Sequence, residues 1–241
     1  MMDELTFHTR LHRAGTILDV GAHDGLLTLP LARLPGARVL AFEPLPSAFA
    51  RLVAAITAEY GAIPPHITLH PEALGDAPGT ATLAVPVLDG VPQEQWASTA
   101  KDYATFGSVG VQRHSVNVTT IDALGLENLQ HVKIDAEGHE YEVLRGARAT
   151  LARCRPVLTL EVEERHRAGS TWAVPAFLDA LGYETRFFHA GHFQPLAAFD
   201  RATMQRASPD PAVFAASDPY IFIFYAWPAE GAAPILARLQ G

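Results

Sequence analysis

The segment Thr16-Ile17-Leu18-Asp19-Val20-Gly21-Ala22-His23-Asp24-Gly25 restricts the fold of this chain more than any other stretch. An apolar run ends on an acid and turns on two glycines, and a leucine-rich stretch follows. A second apolar run, Val39-Leu40-Ala41-Phe42, closes on Glu43 and Pro44. A strand, a glycine turn, a helix and a second strand ending in an acid form the opening unit of a doubly wound α/β sheet. In such a sheet the ligand sits beyond the carboxyl ends of the strands. An acid after strand two offers two acceptor oxygens to a ribose diol.

The glycine spacing narrows the ligand. A dinucleotide loop needs Gly-x-Gly-x-x-Gly so that backbone approaches a pyrophosphate at a helix N-terminus. Gly21 and Gly25 are present, but His23 stands where the middle glycine would be, and its Cβ obstructs that approach. Asp19 would face a phosphate at a cost and a cation favourably. The loop therefore suits the sulfonium and ammonium of S-adenosylmethionine better than the diphosphate of a nicotinamide dinucleotide. A nicotinamide-dependent oxidoreductase and a catalytically inactive binding module of the same fold are the alternatives.

The 241 residues suffice for one well-buried α/β domain spanning 1–241, with 1–15 as an N-terminal extension. A net charge of −8 excludes a general nucleic-acid surface. Cys154 is the only cysteine, so no intramolecular disulfide forms. No eighteen-residue apolar run and no apolar leader are visible, so a cytoplasmic protein with no membrane partner is expected.

Hydrophobic spacing gives the remaining elements. Residues 25–34 read as a helix that Pro30 should kink or shorten. A helix from Ser47 as N-cap runs to Tyr60, closed by Gly61. Residues 67–70 read as a strand, 73–79 as a turn-rich loop, and 80–87 and 114–124 as strands. Between the last two, residues 89–113 form a long loop, a candidate acceptor lid. There Trp96, Tyr103 and Phe106 are placed to stack on a ring, and Ser98, Thr99 and Lys101 to bind hydroxyls. Strand 131–135 ends on Asp135, helix 140–154 follows, and strand 156–162 precedes the polar run 163–167. A helix over 173–181 leads to strands at 183–189 and 220–225, with a turn at Gly191. Two closing strands without a helical crossover must run antiparallel. The expected fold is α/β: a doubly wound, mostly parallel seven-stranded sheet with an antiparallel terminal strand and a small β-rich insertion near 80–120.

By these motifs the chain resembles the FkbM-type family of S-adenosylmethionine-dependent, class I methyltransferases. The resemblance rests on Asp19-Val20-Gly21-Ala22-His23-Asp24-Gly25, Ala41-Phe42-Glu43-Pro44, Ala73-Leu74-Gly75-Asp76 and Thr119-Thr120-Ile121-Asp122. Its most specific block is Lys133-Ile134-Asp135-Ala136-Glu137-Gly138-His139-Glu140, continued by Val143-Leu144-Arg145-Gly146-Ala147. His139 is bulkier than the small residue often found there, a departure that bears on the acceptor pocket. The resemblance implies methyl transfer to oxygen, typically a hydroxyl on a sugar or polyketide-like small molecule.

The expected cofactor set is Asp19, Gly21, Ala22, His23, Gly25, Glu43, Pro44, Leu74, Gly75, Asp76 and Asp135. Asp76 would accept the adenine amino group or close an Asx turn. The expected catalytic set is Asp135 as base or orienting acid, with Glu161 and with Lys133 paired to a neighbouring carboxylate. Glu137 is read equally as a site residue and as a helix N-terminal acid. Asp135, Glu161 and His166 offer an oxygen and nitrogen set for a divalent ion. The preferred reading of that stretch is a solvated polar loop with one orienting acid, and no metal is expected. The expected partners are a small-molecule hydroxyl acceptor and, in a homo-oligomer, a second copy of the chain.

Overall fold

The strand–turn–helix unit forms at the centre of the main sheet. A computed structural model describes residues 2–100, 103, 110–205 and 220–240. Strands and helices are numbered along the chain. Strand β1 (Gly15–Val20) lies parallel between β2 (Ala37–Phe42) and β8 (Leu129–Ile134). Outside these, β3 (Ile67–His70) joins β2 and β9 (Val157–Glu161) joins β8, both in parallel. Ile17, Leu18, Val132 and Leu158 have no exposed surface, as parallel strands covered on both faces require.

The closing strands are antiparallel, as expected. β12 (Ile223–Pro228) inserts between β9 and β10 (Tyr183–His189), antiparallel to both. With β11 (His192–Pro195), the main sheet has eight strands among the described residues, one more than expected, in the order β11-β10-β12-β9-β8-β1-β2-β3. The added strand returns on β10 after Gly191 adopts φ +88°. Glycine tolerates that left-handed turn without a Cβ clash.

Helices cover both faces. On one face pack α2 (Thr28–Ala32) and α3 (Pro46–Tyr60), where Leu31, Leu52 and Ile56 meet Ile17 and Val39. The same face carries α1 (Glu4–Leu11) and α8 (Ala232–Gln240), whose Phe7, Leu11 and Leu239 pack with Tyr225 and Trp227. The opposite face carries α4 (Glu140–Arg145), α5 (Arg148–Cys154) and α6 (Ser170–Asp179) on Leu18, Ile134 and Leu160.

Several local expectations change. The helix expected over 25–34 contracts to α2, in which Pro30 is the third residue. A first-turn N–H has no intrahelical partner, so the proline causes no kink. Leu45, not Ser47, is the N-cap of α3, and Pro46 occupies its first turn. The helix expected over 140–154 is two helices broken at Gly146. A Cβ there would lie 2.0 Å from the Gly75 carbonyl oxygen, so backbone contact with the 73–76 turn requires glycine. The extension 1–15 holds α1, capped where Asp3 accepts the Thr6 N–H at 2.7 Å.

The expected insertion is a second sheet. β4 (Ala73–Leu74), β5 (Gly79–Leu88), β6 (Val91–Pro92) and β7 (Gly110–Thr119) stand in the order β4-β7-β5-β6. Leu83, Val85 and Val116 pack on Leu45 and Ala48 at the start of α3. That contact anchors the insertion beside the carboxyl ends of β1 and β2. No helix among the described residues is long and apolar enough to cross a membrane.

Candidate active site

Parallel strands bring their last residues to one rim. Val20 and Gly21 from β1, Phe42, Glu43 and Pro44 from β2, and Asp135, Ala136 and Glu137 after β8 line a single cavity there. Leu74 and Leu83 add apolar walls from the insertion. Glu94, Gln95, Ala97 and Thr99, from the stretch expected to form a lid, also line it. Lys101 and Phe106 lie outside the described residues. Trp96 does not line the cavity; it is half-exposed, and its carbonyl accepts the Tyr103 hydroxyl.

Glycine is required at position 21 by its neighbours. Its φ is +74°, and a Cβ would stand 2.0 Å from the Asp135 carbonyl oxygen. Glu43 then fixes the loop. One carboxylate oxygen accepts the His23 N–H at 2.9 Å and the other the Leu45 N–H at 2.8 Å. A carboxylate locked by two backbone donors keeps further lone pairs for a diol. Burial nonetheless pushes its pKa up against those two hydrogen bonds.

Beneath the loop lies a charge set that the sequence reading assigned differently. Asp19 is fully buried and does not line the cavity. Oδ2 accepts the Thr28 hydroxyl at 2.6 Å, and Oδ1 faces Lys133 Nζ at 3.6 Å. The cation that Asp19 was expected to meet is therefore supplied by the chain itself. Lys133 also donates to the Gly21 carbonyl at 2.7 Å and lies 3.6 Å from Asp135 Oδ2. Burial disfavours its charge, but Asp135, Asp19, Glu4 and Glu161 outweigh that and raise its pKa. A lysine held charged is an anchor and not a base.

Asp135 faces the cavity, and its buried Oδ1 has no hydrogen-bond partner among the described residues. Its loop is held from below by Glu140, whose Oε1 accepts the Ala136 N–H at 3.1 Å and the Gly138 N–H at 2.8 Å. Glu140 is buried, and burial pushes its pKa up to about 7. From above, the buried Ser98 hydroxyl donates to the Glu137 carbonyl at 2.6 Å, tying the strap 94–99 to the same loop.

Asp135, Glu137 and Glu161 bring carboxylate oxygens within 4.8 Å of one another, an oxygen set of the kind that holds a divalent ion. Burial, then the neighbouring Asp135, Glu163 and Glu137, push Glu161 up to about 9. His166 is not the third member of that trio. Its Nε2 lies 3.4 Å from Glu137 and 3.2 Å from Glu163. The run 163–167 is not a solvated loop. Glu163 is buried, held bidentately by Arg165 at 2.6 and 2.9 Å and by the Tyr220 hydroxyl. Glu164 caps the start of α6 through Gly169 and Thr171.

The remaining expected residues sit as follows. His23 and Leu74 line the cavity, whereas Ala22, Gly25, Gly75 and Asp76 do not. Asp76 forms an ion pair with Arg145 at 3.1 Å. His139 lines the wall beside Glu137, and burial lowers its pKa. The holding roles of Glu140 and Ser98 have no counterpart among the expected site residues. Glu140 was visible as the last acid of its block, but a fold-back bond to backbone two and four residues earlier has no spacing signature.

The Methyltransferase FkbM domain profile matches residues 19–185. The crystal structure of methyltransferase FkbM from Methylobacillus flagellatus superposes with a TM-score of 0.57 at 17% identity, covering 93% of this chain and 48% of that one. The AMB antimetabolite synthetase AmbE of Pseudomonas aeruginosa is 29% identical in an alignment 198 residues long that covers 68% of this chain and 9% of the synthetase. The chain thus spans under half the length of either relative. By its matched residues and its sheet, the chain belongs to the FkbM methyltransferase family.

Proposed function

We propose that the protein transfers a methyl group from S-adenosylmethionine to a hydroxyl oxygen of a small molecule. The observation that carries this reading is convergence: the Gly21 turn, the doubly anchored Glu43 and Asp135 meet at one rim. The cavity walls suit the cofactor, with a carboxylate for the ribose, apolar Phe42 and Leu74 for an adenine face, and carboxylates for a cationic end.

The cofactor supplies an electrophilic methyl group on a sulfonium; the chain supplies position and proton acceptance. Glu43 and the Gly21 turn fix one reactant, and the strap 94–99 excludes water from the other. Alignment of this kind contributes on the order of 7–11 kcal/mol to lowering a barrier. Asp135, which lines the cavity, accepts the acceptor's hydroxyl proton. Glu161, protonated at neutral pH, keeps a second negative charge from building beside it. The similarity to part of an antimetabolite synthetase supports a small-molecule acceptor.

The test is product chemistry. Incubation with methyl-13C S-adenosylmethionine and hydroxylated acceptors should yield a labelled methyl ether by NMR. Label on nitrogen or carbon would overturn the oxygen assignment. Asp135→Asn should lower turnover far more than cofactor affinity, and equal turnover would remove Asp135 as the base.

A further inference from the structure

Helix α6 has a second working side. Val174 and Leu178 point into the core and are buried. Trp172, Pro175, Ala176 and Asp179, spaced by three and four, share a side that lines a groove against β10 and the end of β11. Trp172 is 78% exposed. The same tryptophan and Leu196, just past β11, also wall an adjoining hollow edged by Thr171, Phe199 and Arg201. The two hollows make one trough with the indole common to both. Neither shares a lining residue with the rim cavity. From Trp172 to Asp179 the helix rises about 10 Å, enough for a disaccharide.

Polar groups are set along this trough. Thr185 of β10 lines it and is only 8% exposed, and its Oγ1 has no hydrogen-bond partner among the described residues. Pro175 has no N–H to give the Thr171 carbonyl four residues earlier. Arg186 holds Glu184 Oε1 at 2.7 Å, and the Glu184 carboxylate keeps further lone pairs. A buried hydroxyl left unpaired is unfavourable, so the matching occupant brings a hydrogen-bonding group to Thr185. An apolar ligand would leave that cost in place. The indole face is electron-rich and attracts slightly positive C–H groups. A sugar ring offers both parts at once, a C–H face and an edge of hydroxyls.

We propose that the trough along α6, with Trp172 as its platform and the Thr185 hydroxyl in its wall, is a binding site for a mono- or disaccharide. It is separate from the rim, and the inference does not depend on the reaction there.

Saturation-transfer NMR on the whole chain tests this, with methyl β-glucoside, maltose and cellobiose as probes, each with and without excess S-adenosylhomocysteine. Transfer to the ring C–H protons of at least one sugar is expected in both conditions. Trp172→Ala should weaken that binding at least tenfold and leave the unfolding midpoint unchanged, because the side chain is exposed. Thr185→Val should weaken it on the order of 3- to 10-fold, the worth of one neutral hydrogen bond. The same variant should raise the unfolding midpoint of the free protein, because it removes an unpaired buried hydroxyl. A threonine that merely packs would not move the two readouts in opposite directions. Silence from all three sugars overturns the proposal. So does binding that S-adenosylhomocysteine abolishes, which belongs to the rim, or binding that Trp172→Ala leaves intact. A concentration-dependent dimer in sedimentation that Trp172→Ala dissolves would assign the trough to a second copy of the chain and overturn it as well.

Discussion

Strands β8 and β9 bury ionisable groups at both ends of one face, and the two ends are kept in opposite states. At the carboxyl end, Lys133 stays charged between Asp19 and Asp135. At the amino end, His131 meets His8 of α1 Nδ1 to Nδ1 at 3.2 Å, and His8 Nε2 lies 3.0 Å from the Thr159 hydroxyl. Only one of two facing ring nitrogens can carry the shared hydrogen, so the accepting ring is neutral, and burial favours the neutral form of both. Burial is the main cause, lowering His131 to about 3 and His8 well below its ordinary value. Charge is kept where an opposite charge and a loop carbonyl can receive it, and is given up where only packing is available.

Removing the buried cation should have the largest effect. Lys133→Met leaves the fully buried Asp19 without its counter-charge and frees the Gly21 carbonyl. A loss of about 3–5 kcal/mol in chemical denaturation is expected, partly recovered by adding Asp19→Asn. A loss below about 1 kcal/mol would mean that the two ends do not differ as described.

Glu43→Ala tests the rim and not the frame. It removes the acceptor of the His23 and Leu45 N–H groups and the oxygens facing the ribose position. S-adenosylhomocysteine affinity should fall on the order of 10- to 100-fold, equivalent to about 1.4–2.7 kcal/mol. Unchanged affinity by calorimetry would remove Glu43 from the cofactor site.

The two ends should also answer pH with opposite signs. His8 and His131 bind protons more readily unfolded than folded, so their contribution is complete above pH 6.5, the ordinary histidine value, and is lost on acidification toward 3. The slope is on the order of 1 kcal/mol per pH unit for each ring. Glu161 is raised from 4.5 to about 9, so its contribution is present in acid and lost as pH climbs through that range. Urea unfolding across pH should show His131→Gln flattening the acid limb and Glu161→Gln the alkaline limb. The same variant changing both limbs would merge the two ends into one network.

The smallest effect is expected at the strap. Ser98→Ala removes the hydroxyl bond to the Glu137 carbonyl and should cost about 1 kcal/mol, with faster hydrogen exchange across 94–99. Unaltered exchange would show that the strap is held by the β5 pairing alone.

The same contrast explains what was legible in the sequence. Gly21, Glu43 and Asp135 sit at strand ends, where the period of two, a turn glycine and a terminal acid mark position along the chain. The parallel core and the antiparallel close at β10 and β12 follow from those marks. Asp19 shows the limit: its acid was visible, but its partner Lys133 lies 114 positions onward, and only the β1–β8 register brings them together. For the same reason the His8–His131 contact had no local sign. Helix α1 read as a polar extension because only Phe7, His8 and Leu11 of its short length are buried. The rigid glycine requirement at 146 belongs to the Gly75 carbonyl, again a contact between distant segments.

The most direct measurement is calorimetric titration of the unliganded protein with S-adenosylhomocysteine and, side by side, with NADH. S-adenosylhomocysteine binding with no NADH signal is the expected result, with Glu43→Ala weakening it. NADH binding alone, or silence toward both, would contradict a rim built for an S-adenosyl cofactor.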